Sequence, residues 1–240
     1  PYDRETNYRN LAYGARYMPS TYFMLNYNKL DIWKGFGIQT GVQFVHHSNA
    51  NIKAPNTSTN TIAFNIGVNY DIETKDSLHY ITHPKEKFTE PIRYNAVFRT
   101  GVNESDVVNS GQFPFYVASF YVDKRINRKS AIQLGTDVFW MMYMKEFIKY
   151  QAIAYFENHY DGTADYRRVG IFAGHELFIN KLSIETQVGY YIYRPFELDK
   201  PYYDRLGFKY YWTPKFFSGV AVKTHGFLAE AIEYGVGVRL

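Results

Sequence analysis

The chain has 240 residues, with 24 Tyr, 19 Phe and no Cys, and 46% of its residues are hydrophobic. The absence of Cys excludes a disulfide framework, a thiolate metal site and a cysteine nucleophile, and the hydrophobic content excludes a disordered chain. With 27 basic and 23 acidic side chains, the net charge of +4 is mild and spread along the sequence. It does not form the clustered basic stripe of a nucleic-acid-binding protein.

The aromatic content of 19% needs an explanation, because no run of ~18 apolar residues could form a transmembrane helix. Residues 1–10 also lack the basic start and apolar stretch of a signal peptide. Two fold classes fit this composition. One is a soluble sandwich with aromatic strands. The other is a transmembrane β-barrel, in which lipid-facing and lumen-facing residues alternate between aromatic girdles.

Alternation along long segments favours the barrel. Residues 59–73 place Ile62, Phe64, Ile66 and Val68 on one face and polar or small residues on the other, and at ~3.3 Å per residue such a strand is far longer than a soluble one. Segments 91–104, 181–193 and 229–240 repeat the pattern, with Arg, Lys, Glu, Asp, Gly and Asn on the second face. Charged residues between apolar ones predict a polar lumen and a lipid-facing exterior. Eight lumen charges are expected to pair with one another: Arg93, Arg99, Lys209, Arg239, Asp71, Asp137, Glu185 and Glu233.

In chain order the pattern predicts eleven strands, at 11–30, 35–48, 58–73, 91–104, 113–126, 130–148, 166–179, 181–194, 202–212, 216–226 and 229–240. The fold class is therefore all-β, an antiparallel transmembrane β-barrel in a bacterial outer membrane. Short connections such as 127–129 and 213–215 predict periplasmic turns, and a longer connection is expected at 74–90. Because bacterial barrels have an even strand number, we expect a single domain over 1–240 that lacks N-terminal strands and totals 12–14 strands.

One polar cluster interrupts the predicted lipid-facing row of the second strand. That row ends in His46 and Ser48, which lie two residues apart on one strand face, about 6.6 Å along the strand. Asn60 has the same parity at the start of the next strand. A Ser–His pair with an orienting side chain is the arrangement for nucleophilic acyl transfer. The alternative is a pair of polar residues at the membrane interface.

The other histidines give no comparable pattern. His79 and His83 have a His-x-x-x-His spacing without further ligands, so the sequence predicts neither a metal site nor a cofactor.

Residues 46–56, HHSNANIKAPN, resemble the signature of the lipid A 3-O-deacylases (PagL-like), outer-membrane barrels that hydrolyse an ester-linked acyl chain of lipopolysaccharide. Residues 188–196, 205–212 and 219–240 are similar to longer acyloxyacyl hydrolases of Bacteroidota-type bacteria. The resemblance implies that His46 is the general base, that Ser48 is the nucleophile and that Asn49 contributes to the oxyanion hole. Asn51 and Asn56 occupy further motif positions, and the resemblance implies that they contribute to the oxyanion hole or to substrate binding. Lipid A in the outer leaflet is the implied substrate.

The chain departs from that signature at two positions. Asn60 stands where other members carry the Glu that orients the histidine, and Asn51 replaces a glycine of the oxyanion region. An amide stabilises an imidazolium less than a carboxylate does. Two hypotheses therefore stay open. The first is an ester hydrolase acting on lipid A. The second is a catalytically silent barrel that serves as a structural subunit, with outer-membrane protein partners or as a homodimer.

Overall fold

A computed structural model describes residues 1–72, 88–226 and 228–240. The 74–90 connection, with His79 and His83, lies largely outside the described residues. Within them there are eleven strands, one α-helix and one short 3-10 helix. The elements are β1 (Ser20–Trp33), β2 (Phe36–His47), β3 (Thr59–Tyr70), β4 (Arg93–Glu104), β5 (Gln112–Arg125), β6 (Ser130–Met141), α1 (Met142–Ala154), η1 (Phe156–Asn158), β7 (Arg167–Ile179), β8 (Leu182–Tyr193), β9 (Tyr202–Tyr211), β10 (Phe216–His225) and β11 (Leu228–Arg239).

The chain divides into two compact units, which are described separately. Unit 1 contains residues 1–49 and 57–86, and unit 2 contains residues 50–56 and 87–240. The expectation of a single barrel domain over 1–240 stays a prediction. Among the described residues, no helix is both long enough and apolar enough to cross a membrane.

Unit 2 contains a closed antiparallel barrel with the strand order β10-β11-β4-β5-β6-β7-β8-β9. The all-β barrel class is thus confirmed. The strand number is corrected from 12–14 to eight, because β4 pairs directly with β11, from Tyr234 opposite Thr100 to Arg239 opposite Asn95. Strands β1, β2 and β3 form a separate sheet. We call the end of the barrel with the short connections at 126–129, 180–181 and 212–215 the turn end, and the opposite end the loop end.

Charged side chains fill the barrel lumen, as an eight-stranded barrel has room for side chains only. The Arg205 guanidinium donates to Glu233 Oε2 at 2.6 Å and to Asp137 Oδ2 at 2.9 Å. Lys209 Nζ lies 2.5 Å from Glu185 Oε2. The cavity beside these groups holds only about 10 Å³, which is room for a single water molecule. Among the described residues, the paired charges therefore fill the lumen around Arg205 and Lys209 and leave no wide channel there.

Six of the eight predicted lumen charges are buried and paired in the barrel: Arg99, Lys209, Arg239, Asp137, Glu185 and Glu233. The prediction is wrong for the other two. Arg93 is the first residue of β4, and its side chain is 38% exposed and pairs with Glu90. Asp71 follows β3 in unit 1, outside the barrel.

Replacing Arg205 by leucine tests the lumen network. The change leaves the carboxylates of Asp137 and Glu233 buried without their main partner, so the free energy of unfolding should fall by about 3–5 kcal/mol. Urea unfolding in lipid vesicles, followed by tryptophan fluorescence, measures it. The control is Arg167→Leu, since the Arg167 side chain is 57% exposed beside Asp165 and should contribute less than about 1 kcal/mol. Equal stability of R205L and wild type would contradict the network.

Helix α1 replaces the end of the strand expected at 130–148, because β6 stops at Met141. The helix buries Tyr143, Met144, Phe147 and Ile148. These residues form two pairs spaced four apart, the spacing of one helical face. The Tyr143 hydroxyl donates to Glu230 at 3.1 Å, which anchors the start of the helix on the barrel interior.

The three strands of unit 1 form a sheet in the order β1-β2-β3. Its apolar face is exposed as expected, with Ile62, Phe64, Ile66 and Val68 at 67%, 83%, 84% and 74%. The other face carries an amide pair, in which Asn65 Nδ2 donates to Asn26 Oδ1 at 3.3 Å. That pair passes over Gly41, where a Cβ would lie 2.1 Å from Asn26 Oδ1. Glycine is therefore required at this crossing.

The first strand starts later than predicted, at Ser20 and not at residue 11. Local hydrogen bonds explain the difference, because the Asp3 carboxylate accepts from the backbone N–H of Thr6 and the Asn10 amide oxygen accepts from that of Tyr13. Hydrogen bonds of this kind occupy backbone N–H groups that would otherwise pair with a neighbouring strand. Pro19 has no N–H to donate to a ladder.

Candidate active site

His46 and Asn60 lie directly opposite each other in neighbouring strands of unit 1. His46 Nδ1 and Asn60 Oδ1 are 2.7 Å apart, which is a hydrogen bond. Thr21 is opposite His46 on the other side, in β1. The three residues thus form one cross-strand row, on the face that carries Phe44 and Ile62.

This hydrogen bond sets the histidine tautomer. An amide oxygen can only accept, so Nδ1 of His46 carries a proton, and in the neutral form of the ring Nε2 carries the lone pair. A neutral imidazole with a free Nε2 is the form that acts as a general base. The orienting role predicted for Asn60 stays a prediction, although its amide oxygen is in position to hold the ring of His46. A carboxylate at this position would also stabilise a positive imidazolium.

Ser48 does not occupy the exposed strand position that the alternation predicted. Strand β2 ends at His47, and the Ser48 backbone N–H donates to Pro19 O at 3.3 Å. Ser48 is only 6% exposed, and Asn49 is fully buried. The expected lipid-exposed place for Ser48 is therefore corrected. The physical reason is that regular pairing ends opposite Ser20, where Pro19 can accept a hydrogen bond but cannot donate one.

Residues 50–56 belong to unit 2 and are held there by Glu104. The Glu104 N–H donates to Asn51 O at 2.7 Å, and its carboxylate accepts from the Ala54 N–H at 2.8 Å. The same carboxylate accepts from the Gly111 N–H at 3.3 Å. Gln112 Nε2 donates to Ile52 O at 2.6 Å. One buried glutamate therefore fixes the segment that follows Ser48 and Asn49 in the sequence.

The backbone of Asn51 explains how it can replace a glycine. Its φ is +57°, and that of Ala50 is +49°. This is the left-handed region that glycine adopts most easily, and asparagine is the residue that tolerates it best after glycine. Asn51 thus adopts a backbone conformation that glycine would also adopt at this position.

The side chains of Asn51 and Asn56 bind protein groups. Asn51 Nδ2 donates to Ala229 O at 3.2 Å, and Asn56 Nδ2 donates to Asn51 Oδ1 at 2.9 Å. Both side chains therefore help to hold the segment 50–56 in unit 2, and Asn56 supports the conformation of Asn51. The predicted roles of the two residues toward the substrate stay predictions.

Two residues of this region were not identified from the sequence. Thr21 has the parity of Phe23 and Leu25, so the alternation of β1 could have placed it in the His46 row. Glu104 could not have been found, because its hydrogen bonds join residues about fifty positions apart in the sequence.

One group among the described residues has metal-ligating side chains close together, namely Asp199, His225 and Glu230, with ligand atoms within 4.8 Å. Cations of the protein already occupy it. Lys223 Nζ contacts Glu230 Oε2, and Arg168 Nη1 lies 2.9 Å from Asp199 Oδ2. Two positive side chains oppose a further cation at this position, so the group is better described as an ion-pair network.

Two family models match the chain. Residues 92–240 match the family model described as acyloxyacyl hydrolase, C-terminal domain, and residues 1–69 match lipid A 3-O-deacylase (PagL). The first match covers more than half of the chain, and the second contains the row of Thr21, His46 and Asn60. No curated protein matches the chain. The Bacteroidota-type branch stays a prediction. The chain belongs to the PagL-like family of lipid A deacylases and acyloxyacyl hydrolases.

Proposed function

We propose that this protein is an outer-membrane hydrolase that removes an ester-linked acyl chain from lipid A, with Ser48 as nucleophile and His46 as general base. The observation that carries the proposal is the 2.7 Å hydrogen bond between His46 Nδ1 and Asn60 Oδ1. It leaves Nε2 free to accept a proton, on a residue two positions before a serine. Membership in a hydrolase family supports the reaction class.

In the proposed mechanism, Ser48 Oγ attacks the ester carbonyl carbon while His46 Nε2 takes the hydroxyl proton. The oxyanion of the tetrahedral intermediate is assigned to the backbone N–H of Asn49, the role that the family resemblance implies for this residue. Its collapse breaks the bond to the sugar oxygen, which leaves as an alcohol with the proton from His46. Water then attacks the acyl-serine, again with His46 as base, and releases the fatty acid and free Ser48. No metal or cofactor enters these steps.

The exposed apolar residues of the barrel support a location in the membrane. Outward positions such as Leu134, Val188 and Tyr234 are 63%, 62% and 59% exposed, while charged residues are buried in the lumen. This is the reverse of a soluble barrel and the pattern of an outer-membrane one. Lipid A of the outer leaflet is then available as substrate beside the protein.

Mass spectrometry of lipid A from cells with and without the gene tests the proposed activity. Cells that carry the wild-type gene should contain lipid A that lacks one acyl chain, and cells without the gene should contain the intact form.

A structural role in a protein assembly is the second candidate, and β1 favours it. This strand pairs only with β2 among the described strands. It exposes residues of both faces, such as Met24 at 46% and Leu25 at 63%. An exposed edge strand is a template for pairing with another chain, whether a partner protein or a second copy. Unchanged lipid A together with co-purification of a stoichiometric partner would favour this role over the hydrolase.

Replacing Asn60 by glutamate should raise the rate of deacylation, by up to about tenfold. A hydrogen bond to a charged acceptor is stronger by about 1–1.5 kcal/mol than one to an amide, and the gain applies when His46 becomes positive in the transition state. The initial rate of fatty acid release from lipid A measures it. Thr61→Glu is the matched control, because Thr61 is the next residue of β3 and lies on the opposite face. A lower rate in N60E than in T61E would contradict the role of Asn60.

A further inference from the structure

The two ends of the unit 2 barrel differ in charge. The turn end contains eight basic and only two acidic side chains, counted over residues 88–93, 123–130, 178–182, 211–216 and 239–240. The loop end contains eight acidic and five basic side chains, counted over residues 104–112, 142–167, 193–201 and 225–228. The mild net charge of the whole chain therefore hides a strongly basic rim at one end.

Both acidic residues of the turn end are already paired. Asp123 accepts from Arg239 Nη2 at 2.7 Å, and Glu90 accepts from Arg239 Nη1 at 2.9 Å and from Arg93 Nε at 3.2 Å. Burial raises the pKa of Glu90, but the hydrogen bonds from Arg239 and Arg93 and the charge of Arg125 lower it further than burial raises it. Glu90 is thus ionised at neutral pH and neutralises the arginines beside it.

The lysines of the three turns carry the unbalanced charge. Lys129, Lys181 and Lys215 are exposed, and none of them forms an ion pair with a carboxylate of the described part of the chain. They lie in three consecutive short connections around the rim, so their positive charges face the same side of the membrane.

A concave surface lies among these groups. The lining of a cavity of about 690 Å³ combines the basic residues Arg125, Arg128 and Lys129 with the apolar residues Leu177 and Ile179. The Arg125 guanidinium stacks on the Phe178 ring at 3.7 Å, which holds the group at the cavity wall. An adjoining cavity of about 450 Å³ shares Arg125 and includes Lys181 and Trp212.

Exposed apolar side chains border the basic rim directly. The exposed fraction is 55% for Ile126, 52% for Ile179, 52% for Leu182 and 65% for Trp212. Tryptophan and lysine beside an apolar belt are typical of the membrane–water interface, where basic residues attract anionic lipid headgroups. A soluble anionic polymer would match the charge but would leave this apolar border without a partner.

We propose that the turn end of the barrel binds the phosphate headgroups of anionic phospholipids such as phosphatidylglycerol. The phosphates of the bound headgroups contact Arg125, Lys129, Lys181 and Lys215. The acyl chains of these lipids lie along Ile179 and Leu182. The proposal goes beyond the hydrolase site and depends only on insertion of the barrel in a membrane. It assigns to the turn end of the unit 2 barrel a lipid that is not the substrate.

The test is a lipid titration of the full chain in dodecyl maltoside micelles, with bound lipids counted by native mass spectrometry. Wild type should bind dioleoylphosphatidylglycerol at least tenfold more tightly than dioleoylphosphatidylcholine. The triple variant K129Q/K181Q/K215Q should lose most of this preference, and added salt should weaken binding because surface charges are screened. A second variant, Arg125→Gln, tests the cavity itself and should lower the affinity severalfold.

The matched control is K145Q/K149Q/K200Q, which removes the same charge from the loop end and should bind phosphatidylglycerol as wild type does. The proposal is overturned if wild type does not distinguish the two lipids, or if the turn-end triple variant binds as tightly as wild type. An equal loss in the control variant also overturns it, since net charge alone would then explain binding. Competition by inorganic phosphate as strong as by the lipid would indicate a free-phosphate site and not a lipid site. Retention on peptidoglycan without any lipid preference would assign the rim to that polymer.

Discussion

Replacing Ser48 by alanine is expected to lower the rate of lipid A deacylation by at least about 10³-fold while the protein stays folded. Removal of the nucleophile of a Ser–His hydrolase eliminates the covalent pathway, and only the weaker effect of binding and oxyanion stabilisation survives. Because Ser48 is buried, the loss of its hydroxyl should lower the free energy of unfolding by about 0.5–1.5 kcal/mol, which is too little to unfold the protein. The measurement is fatty acid release from purified lipid A, with urea unfolding to check the fold.

Ser20→Ala is the control for this substitution, because Ser20 is exposed at the start of β1 and lies opposite His47 rather than His46. It should keep the wild-type rate. Activity of S48A within tenfold of wild type would exclude Ser48 as nucleophile. If both wild type and S48A fail to deacylate lipid A, the structural-subunit hypothesis becomes the better explanation.

Alternation along the strands was sufficient to predict the barrel class and most strand boundaries. The sequence of a single strand is sufficient to predict which of its residues face outward, because successive side chains of a strand point to opposite faces of the sheet. The number of strands in the closed barrel could not be predicted from the strands one at a time. It depends on the pairing of β4 with β11, residues more than 130 positions apart, and no property of either strand alone specifies that partner.

The distribution of charge was misjudged for a related reason. In the sequence, Arg125, Lys181 and Lys215 are far apart, and the net charge of +4 looks evenly spread. Closure of the barrel brings all the short turns to one end, since every second connection of an antiparallel barrel lies on the same side. The basic rim is therefore a product of topology.

The candidate site was predicted in part. Parity placed His46 and Asn60 on one face, and their register in the structure makes them direct partners. The burial of Ser48 was not predictable, because it depends on where strand pairing stops. Pairing stops at Pro19, which directly precedes β1. The anchoring of residues 50–56 by Glu104 likewise joins distant parts of the chain.

The strongest test of a joint role for His46 and Ser48 is a double-mutant cycle. His46→Ala removes the general base and should lower the deacylation rate by about 10³–10⁴-fold, in the range of other Ser–His enzymes. His47→Ala is the matched control, because His47 is the adjacent residue, has the opposite parity and should be nearly neutral. Residues that act as one unit are strongly non-additive, so H46A/S48A should be no slower than S48A alone. If the fold-decrease in the rate of H46A/S48A equals the product of the decreases in the two single variants, the two side chains act independently. The proposed proton transfer from Ser48 to His46 would then be wrong.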